Sequence, residues 1–312
     1  MTIPHVYLAD SVSRRPVEQR TGILSYTDNQ SRQVSDAVAV EEPLEIRFAG
    51  CSIAVTMRTP GDDFDLTAGF LLTEGLIDGA EDIASITHCP TDDRDSAANI
   101  VNVNPVDPAR LDPEHWKRNM YTTSSCGICG RASIDRVRQD AAPISSNLRL
   151  TCRDLYRLSR GLMEAQRLFA TTGGLHAAAL FDSQGTLLVA REDIGRHNAV
   201  DKVIGDRLRK GALPLHDTVL LVSSRASFEI VQKALMVGIP VVAAVSAAST
   251  LAVDLARESG ITLVGFLRAD EGAERFNVYA GAERIVPDST APGLAELPAS
   301  RSGPLPSNAG AE

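Results

Sequence analysis

Two cysteines separated by two residues are the most reactive feature of this 312-residue sequence. Cys126 and Cys129 are each followed by a glycine, Ser124 and Ser125 precede them, and Arg131 follows. Glycines allow left-handed and extended backbone conformations, so the pattern predicts an exposed loop that presents a sulfur atom to solvent and then moves it. A thiol reacts as its thiolate, and a nearby cation or helix N-terminus lowers its pKa. The stretch predicts a loop that handles sulfur.

Two other interpretations of the cysteine pair stay open. A structural zinc site needs four protein ligands, whereas Cys51, Cys89 and Cys152 stand singly and the six histidines never occur at short spacing. A thioredoxin-like dithiol usually lies between a strand and a helix near the start of its fold. The glycine-rich loop favours a nucleophile or sulfur carrier over both, and over a cysteine pair without a function.

A second group of reactive side chains follows a predicted hairpin. Residues 191–198 include two arginines, two carboxylates, a histidine and an asparagine, and a further histidine follows Gly173 and Gly174. An acid, a base and guanidinium groups close together are typical of a polar site. The alternative is a solvated junction in which Asp193 or Asn198 caps the next helix, with a structural role for the histidine. The candidate site residues are His176, Glu192, Asp193, Arg196 and His197.

Hydroxyl and basic side chains follow three predicted parallel strands, at residues 223–227, 246–250 and 265–268. Ligands of open α/β sheets bind beyond the carboxyl ends of the strands, where helix N-termini favour phosphate. The pattern predicts a phosphate-bearing ligand near Arg225 and Arg268, against the alternative of ordinary helix capping by Ser and Thr. Neither a Walker A motif nor a GxGxxG motif is present. The candidate binding residues at the first strand end are Ser223, Ser224 and Arg225.

The elements that must position these groups fall into four predicted segments. Residues 1–36 are polar and form an irregular lead-in with one or two short strands, and residues 37–140 form a smaller α+β domain that ends in the cysteine loop. Within that domain we expect a hairpin over 44–57, a helix over 65–75, and strands near 83–87 and 99–103. Residues 141–286 begin with one helix through 155–169 and continue as a hairpin and strand–helix units, which imply parallel pairing. The first units have strands at 219–222 and 241–245, with a helix around 228–236 between them. Residues 287–312 are rich in Pro, Ser, Ala and Gly, which predicts a disordered tail.

Composition narrows the classes of function. The net charge of -9 and an aromatic content of 4% argue against nucleic acid as a partner. We find neither a signal peptide nor an apolar run long enough to span a bilayer, and we therefore expect a cytoplasmic protein without a membrane partner. Five cysteines, an odd number, do not form a disulfide framework in a reducing compartment.

Together, these motifs resemble those of the formate dehydrogenase accessory sulfurtransferase family. The matching segments occur in order over residues 37–286, and their number makes the resemblance specific. Outside the cysteine loop, they are residues 42–46, 57–61, 69–75, 172–176, 192–202, 223–225 and 265–266.

The resemblance implies a protein that takes sulfur as a persulfide from a cysteine desulfurase. It implies delivery to the molybdenum bis(molybdopterin guanine dinucleotide) cofactor for formate dehydrogenase, with GDP as a mimic of the transiently bound cofactor and no permanent metal. The persulfide cysteine of the family matches Cys126, and the second cysteine matches Cys129. The cofactor-binding segment of the family matches Phe266, Leu267, Arg268, Ala269, Asp270 and Glu271.

The resemblance also implies a fold class: α/β, with a three-layer cytidine deaminase-like mixed sheet, a smaller N-terminal α+β domain and a disordered C-terminal tail. A zinc-dependent deaminase of the same fold needs His-x-Glu followed by Pro-Cys-x-x-Cys, whereas Ala178 occupies the glutamate position and the cysteines precede His176. A thioredoxin-like oxidoreductase predicts a stable dithiol/disulfide couple without nucleotide affinity. The sequence leaves open whether the chain is a monomer or a homodimer.

Overall fold

The computed structural model describes residues 6–7, 16–89, 98–108, 143–269 and 274–288. Within these ranges, the strands form a five-stranded sheet, a six-stranded sheet and two separate strand pairs. The cysteine loop and the part of the predicted tail from residue 289 onward lie outside the described residues. No helix within the described ranges combines the length and the hydrophobicity that crossing a membrane requires.

The first strands correct the prediction of an irregular lead-in with one or two short strands, since two of them are ten residues long. These are β1 (Val6–Tyr7), β2 (Glu18–Thr27) and β3 (Gln30–Ala39). β2 and β3 pair along their whole length as an antiparallel ribbon, which Asp28 and Asn29 close with φ values of 48° and 64°. Two positive φ angles define a hairpin turn that favours Asp and Asn. That dipeptide was the signal for a ribbon, but the mostly exposed strands lack the alternation of apolar residues that sequence reasoning uses.

The five-stranded sheet confirms the predicted hairpin, strands and helix. It has the order β1-β6-β7-β4-β5, and helix α1 packs against it through a shared hydrophobic cluster. α1 ends next to Gly75, whose φ of 69° suits a helix stop. The elements are β4 (Glu42–Phe48), β5 (Cys51–Arg58), α1 (Asp63–Thr73), β6 (Ile83–His88) and β7 (Ile100–Pro105).

A second set of elements follows residue 150. A short pair joins β8 to β15. The predicted helix through 155–169 is wrong in one respect, since it breaks at Gln166 into α2 and α3. The elements are β8 (Leu150–Thr151), α2 (Cys152–Ala165), α3 (Arg167–Thr172), β9 (His176–Asp182), β10 (Leu187–Asp193), α4 (Arg196–Arg209), β11 (Thr218–Val222), α5 (Phe228–Met236), β12 (Val241–Ala244), α6 (Thr250–Ser259), β13 (Thr262–Arg268), β14 (Arg275–Ala280) and β15 (Ile285–Val286).

The six-stranded sheet is mixed and has the order β10-β9-β11-β12-β13-β14. β11, β12 and β13 are parallel, as predicted, whereas β9, β10 and β14 pair antiparallel with their neighbours. Its faces alternate along β11: Leu220 packs in the cluster with α4, α5 and α6, and Leu221 packs in the cluster with α2. Helices therefore cover both faces. The α/β class is confirmed, and the specific cytidine deaminase-like fold stays a prediction.

One hydrophobic cluster includes side chains from both predicted domains, with α1 and α4 at their contact. The backbones of these helices approach closely at two glycines. A Cβ on Gly69 would lie 1.9 Å from the carbonyl oxygen of Asp201, and a Cβ on Gly205 would lie 1.9 Å from that of Asp65. Only glycine permits such an approach. The contact holds the N-terminal sheet against the helix that follows β10.

Candidate functional site at one edge of the six-stranded sheet

The strand directions bring several predicted site residues to one edge of the sheet. β10 ends at Asp193, which pairs with His176 at the start of β9. Because β9 is antiparallel to β11, its start lies beside the end of β11 at Val222. The ends of β11 and β12 lie together, since they are parallel. Residues far apart in sequence therefore share the edge that was predicted to hold a ligand.

Backbone contacts join the segments that follow these strands. The amide of Ser223 donates to the carbonyl of Ala177, and the amide of Ala177 donates to the hydroxyl of Ser223 at 2.9 Å. A bridge connects Ala226 to Ala248. The hydroxyl of the buried Ser224 donates to the carbonyl of Arg225 at 3.1 Å. Both serine hydroxyls thus stabilise the edge, and the exposed Arg225 is the side chain that faces solvent.

Three buried polar atoms near this edge have no hydrogen-bond partner among the described residues. They are Nε of Arg196, Nε2 of His197 and Oγ of Ser227. Arg196 and His197 are the first two residues of α4, and Gly195 provides no side-chain cap there. Ser227 directly precedes α5 and makes no cap either. Buried polar atoms are normally paired, so this group has capacity for a ligand rich in oxygen atoms.

Burial favours the neutral form of the two histidines at the edge. Burial lowers the pKa of His176 below its usual range, and the charge of Arg196 acts in the same direction while Asp193 opposes it. Burial lowers the pKa of His197 to about 4, with Lys233 and Arg196 adding to the effect and Glu229 opposing it. The Nε2 atom of His197 lies 3.8 Å from the carboxylate of Glu229. Neutral imidazoles can donate a hydrogen bond or accept one.

Near His197, a buried cluster of charged side chains links α4, α5 and the end of α1. The ammonium group of Lys233 lies 2.9 Å from Asp201 and 3.0 Å from Glu74, and it donates to Thr73 at 2.8 Å. Burial alone would lower the pKa of Lys233, but the two carboxylates raise it to about 12. Lys233 is therefore charged, and its bonds are used within the protein.

Asp193 is a structural anchor. It does not cap α4, although helix capping was one of the two predicted roles. It is fully buried, and its carboxylate lies 2.8 Å from the ammonium group of Lys202. Its two oxygens also accept from the amide of Thr59, the amide of Gly195 and the side chain of Asn198. Lys202 donates in addition to the carbonyl of Thr59. These bonds tie the start of α4 to the chain that follows β5.

Glu192 is also bound within the fold. It lies in β10, and its two carboxylate oxygens accept from the amides of Leu168 and Phe169 at 2.9 and 2.7 Å. These amides belong to the first turn of α3. Glu192 therefore caps α3, a role that sequence reasoning did not assign.

The third predicted strand end differs from the prediction. β13 continues to Arg268 and pairs with β14, with a register shift between Gly265 and Arg268. Phe266 lies in this bulge with a φ of 54°, which a bulky residue rarely adopts and which often marks a functional site. Its amide donates to the carbonyl of Ser246 at 3.0 Å, so the bulge borders the same edge.

The residues of the segment matched to the cofactor-binding region of the family differ in burial and in hydrogen bonding. Leu267 and Ala269 are buried, and Leu267 packs in the cluster with α2. Arg268 donates through Nη1 to the carbonyls of Val245 and Leu267. Arg268 therefore supports the end of β12 and does not stand at the N-terminus of a helix. Asp270 and Glu271 lie outside the described residues, as do Cys126 and Cys129.

Sequence reasoning missed Glu229, which lies in the first turn of α5. Ser227 directly precedes α5 and belongs to the predicted strand end at residues 223–227, so the same rule also pointed at Glu229 two residues later. No group of three or more His, Cys, Asp or Glu residues in the described ranges is arranged to hold a metal ion. The metal-site interpretation therefore depends on the cysteine loop.

The fold and the site together define an α/β protein with a polar, partly cationic site at one edge of a mixed sheet. Comparison with known proteins identifies its family. The model of the FdhD/NarQ family matches residues 39–286. The chain is 52% identical over 278 residues to "Sulfur carrier protein FdhD" of Streptomyces avermitilis, covering 86% of this chain and 96% of the relative.

Other relatives agree with this match. The protein of the same name from Mycolicibacterium paratuberculosis is 50% identical over 273 residues, covering 86% of this chain and 99% of the relative. A crystal structure described as that of a formate dehydrogenase accessory protein from Desulfotalea psychrophila superposes with a TM-score of 0.70. It shares 26% sequence identity, covering 87% of this chain and all of that one. This chain belongs to the FdhD/NarQ family, as its motifs predicted.

Proposed function

We propose that this chain is a sulfur carrier. It receives sulfur on Cys126 from a cysteine desulfurase and transfers it to the molybdenum bis(molybdopterin guanine dinucleotide) cofactor of formate dehydrogenase. The observation that carries the proposal is the 52% identity to a relative named sulfur carrier protein over 86% of this chain. The similarity to a structure described as a formate dehydrogenase accessory protein supports the link to that enzyme.

Loading requires a thiolate and a sulfur donor, with no external oxidant. The Cys126 thiolate attacks the terminal sulfur of a persulfide on the desulfurase, a new S–S bond forms on Cys126, and the cysteine of the desulfurase leaves as its thiolate. In this proposal Cys126 is the nucleophile, and Arg131 lies near enough in sequence to favour its thiolate form.

Release of the sulfur has a second thiol available. When the Cys129 thiolate attacks Sγ of Cys126, a Cys126–Cys129 disulfide forms and the terminal sulfur leaves as hydrosulfide. The two electrons that reduce the sulfur come from the two cysteines. A cellular dithiol reductant then restores both thiols.

The cofactor is the substrate of this transfer, and its phosphates suit the sheet edge. Arg196, His197 and Ser227 offer buried polar atoms without partners in the described structure, and Arg225 adds an exposed guanidinium. Guanidinium groups and helix N-termini both favour phosphate oxygens. His176 borders this group, and the strained Phe266 is hydrogen-bonded to Ser246 at the same edge. GDP is the probe, and binding weaker than about 1 mM would contradict this part of the proposal.

The proposal also includes the protein's partners and its compartment. The partners are the cysteine desulfurase and formate dehydrogenase, and neither nucleic acid nor a membrane is among them. A reducing cytoplasm suits the two reactive thiols of Cys126 and Cys129. A homodimer is compatible with this function, which needs one cysteine loop and one cofactor site.

The decisive experiment is the intact mass of the protein after incubation with a cysteine desulfurase and cysteine. We expect the wild type to gain the mass of one sulfur atom, which a thiol reductant removes, and Cys126→Ala to gain none. Cys152→Ala is the matched control, because Cys152 is a half-buried cysteine at the start of α2, and it should load like the wild type.

Other outcomes would separate the alternatives. A protein that takes up no sulfur but contains one zinc per chain would restore the metal-site interpretation. A protein that cycles between dithiol and disulfide, carries no persulfide and binds no GDP would favour a thioredoxin-like oxidoreductase. Either result would overturn the sulfur carrier.

A further inference from the structure

Glu192 makes a contact that connects the candidate site to a distant part of the chain. Both of its carboxylate oxygens accept amide hydrogens from α3, from Leu168 at 2.9 Å and from Phe169 at 2.7 Å. The first amides of a helix have no partner within the helix itself. A carboxylate that accepts two of them forms charge-assisted hydrogen bonds and also favours the positive end of the helix dipole.

α3 depends on this contact, because it has only six residues. A helix this short does not stand alone, since its nucleus costs more than its few hydrogen bonds return. Gln166 precedes it without a side-chain cap. At the other end Gly173 adopts a φ of 66° and donates its amide to the carbonyl of Phe169 at 2.7 Å. Glu192 therefore stabilises one end of α3, and Gly173 the other.

α3 leads directly to the sheet edge. Three residues, Gly173 to Leu175, separate it from His176, where β9 begins. In the β9–β10 ladder, Glu192 lies opposite Ala177, and His176 lies opposite Asp193. Strand β10 therefore holds both ends of the loop 173–175: the Glu192 cap holds the α3 end, and the β9–β10 ladder holds the β9 end. If the cap is lost, the start of β9 keeps the ladder and its two hydrogen bonds with Ser223, but the loop before it loses its attachment at α3.

The opposite side of α3 contacts the β2–β3 ribbon. The hydroxyl of Thr171 donates to the carboxylate of Glu18 at 2.6 Å. A Cβ on Gly174 would lie 3.9 Å from Cβ of Ala39, so the loop passes close to the end of β3. α3 is thus placed between the base of the ribbon and the sheet edge.

We propose that Glu192 is a positioning residue: by capping α3 it holds the loop of residues 173–175 and His176 at the sheet edge, and it joins the β2–β3 ribbon to that edge. Glu192 itself touches no reacting atom. The part of this inference that concerns ligand affinity rests on the proposed function, whereas the part that concerns α3, His176 and the ribbon does not.

The test compares Glu192→Gln with Glu164→Gln, which makes the same chemical change on the exposed surface of α2. Hydrogen exchange should become about tenfold faster at Leu168 and Phe169 in Glu192→Gln, because charge-assisted bonds are lost. Exchange should also quicken toward the base of the ribbon at Ala39. Exchange in α5 serves as an internal reference and should stay unchanged in both variants.

The second readout is the titration of the His176 ring followed by NMR. Burial lowers the pKa of His176, so release of the loop should raise that pKa toward its usual value in Glu192→Gln but not in Glu164→Gln. Arg196 and Asp193, the charged groups that act on this ring, remain in both variants. Glu192→Asp keeps a carboxylate and should restore part of the protection.

The outcomes distinguish this inference from the proposed function. Unchanged exchange in α3 together with an unchanged His176 titration would overturn the positioning role. If Glu192→Gln does not fold, Glu192→Asp is used in its place, and its exchange in α3 should be faster than in the wild type. Exchange in α3 at the wild-type rate would contradict the inference. If the effects on α3 and His176 occur while the wild type binds no GDP, the positioning role stands and the phosphate site is wrong. If the wild type binds GDP, Glu192→Gln should bind it several-fold more weakly.

Discussion

Two groups of polar side chains lie next to each other at the start of α4, and they use their hydrogen bonds differently. Asp193, Asn198 and Lys202 are buried and bound to one another or to the chain after β5. Arg196 and His197 lie between them in sequence but each keeps a buried nitrogen without a hydrogen-bond partner in the described structure. We call the first group the anchor and the second, with Ser227, the rim.

The difference shows that density of polar residues alone does not identify a functional group. Asn198 and Lys202 are four residues apart, so they share one face of α4, and both meet Asp193 or its neighbours there. A buried charge with all its bonds made serves folding, since breaking it leaves a partner uncompensated. Unpaired donors near a sheet edge serve a ligand better than they serve stability. Three predictions test this contrast.

The largest effect is expected for Asp193→Ala. It leaves the ammonium group of Lys202, which is buried, without its carboxylate. The free energy of unfolding should fall by about 3–5 kcal/mol, measured by urea denaturation. Asp254→Ala, at an exposed position of α6, should change it by less than about 0.5 kcal/mol.

A double variant sharpens this result. Asp193→Ala with Lys202→Met removes both charges and should be less destabilised than Asp193→Ala alone. Equal losses in the single and double variants would mean that the ion pair is not what anchors α4.

A smaller effect on stability, with a clear effect on binding, is expected for Arg196→Gln. The free energy of unfolding should change by less than about 0.5 kcal/mol, whereas the affinity for GDP should fall about tenfold through the loss of a charged donor. Calorimetric titration measures the affinity. Arg257→Gln, at an exposed position in the last turn of α6, is the control and should bind like the wild type. A stability loss as large as that of Asp193→Ala, with unchanged affinity, would place Arg196 in the anchor.

A third effect is expected in the pH dependence of stability. Burial lowers the pKa of His197 to about 4 from 6.5, so the unfolded chain binds the proton more readily than the folded chain between these values. The free energy of unfolding should therefore decrease as the pH falls from about 6.5 toward 4. His197→Asn should show a shallower decrease over this range.

The comparison with the variant isolates His197 because the other groups remain. His176 changes stability in the same direction, since its pKa is also lowered by burial. Asp201 acts in the opposite direction between about pH 4 and 6, because burial raises its pKa to about 6. Identical slopes for wild type and variant in urea denaturation would show that His197 is not held neutral by the fold.

Several elements were predictable from local pattern. α5 spans Phe228–Met236 as the periodicity predicts, and the apolar runs at 219–222 and 241–245 correspond to β11 and β12. Their end residues were selected as a binding edge because parallel strands bring such ends together. The sequence alone also identified the cysteine pair and the family motifs, since these depend only on residue type and order.

The failures have a common cause, which is contact with residues distant in sequence. The spacing of apolar residues over 155–169 predicted one helix, but the chain breaks at Gln166 and Glu192, more than twenty residues later, caps the second part. The sequence predicts a free strand end at Arg268, but Arg268 lies in β13 and pairs with a residue of β14. No local pattern contains the residues that decide these points.

By itself, the sequence determined the α/β class, the family motifs and the set of polar residues from which a site could be built, and it predicted the cysteine loop. It did so because hydrophobic periodicity and residue chemistry are local properties. Only the tertiary structure decided which of those polar residues are used up inside the fold. Asp193 and Glu192 carry the same charge and are adjacent in sequence, yet one is bound by Lys202 and the other by the amides of α3. Whether a charged side chain has bonds left for a ligand depends on the partners that packing brings to it.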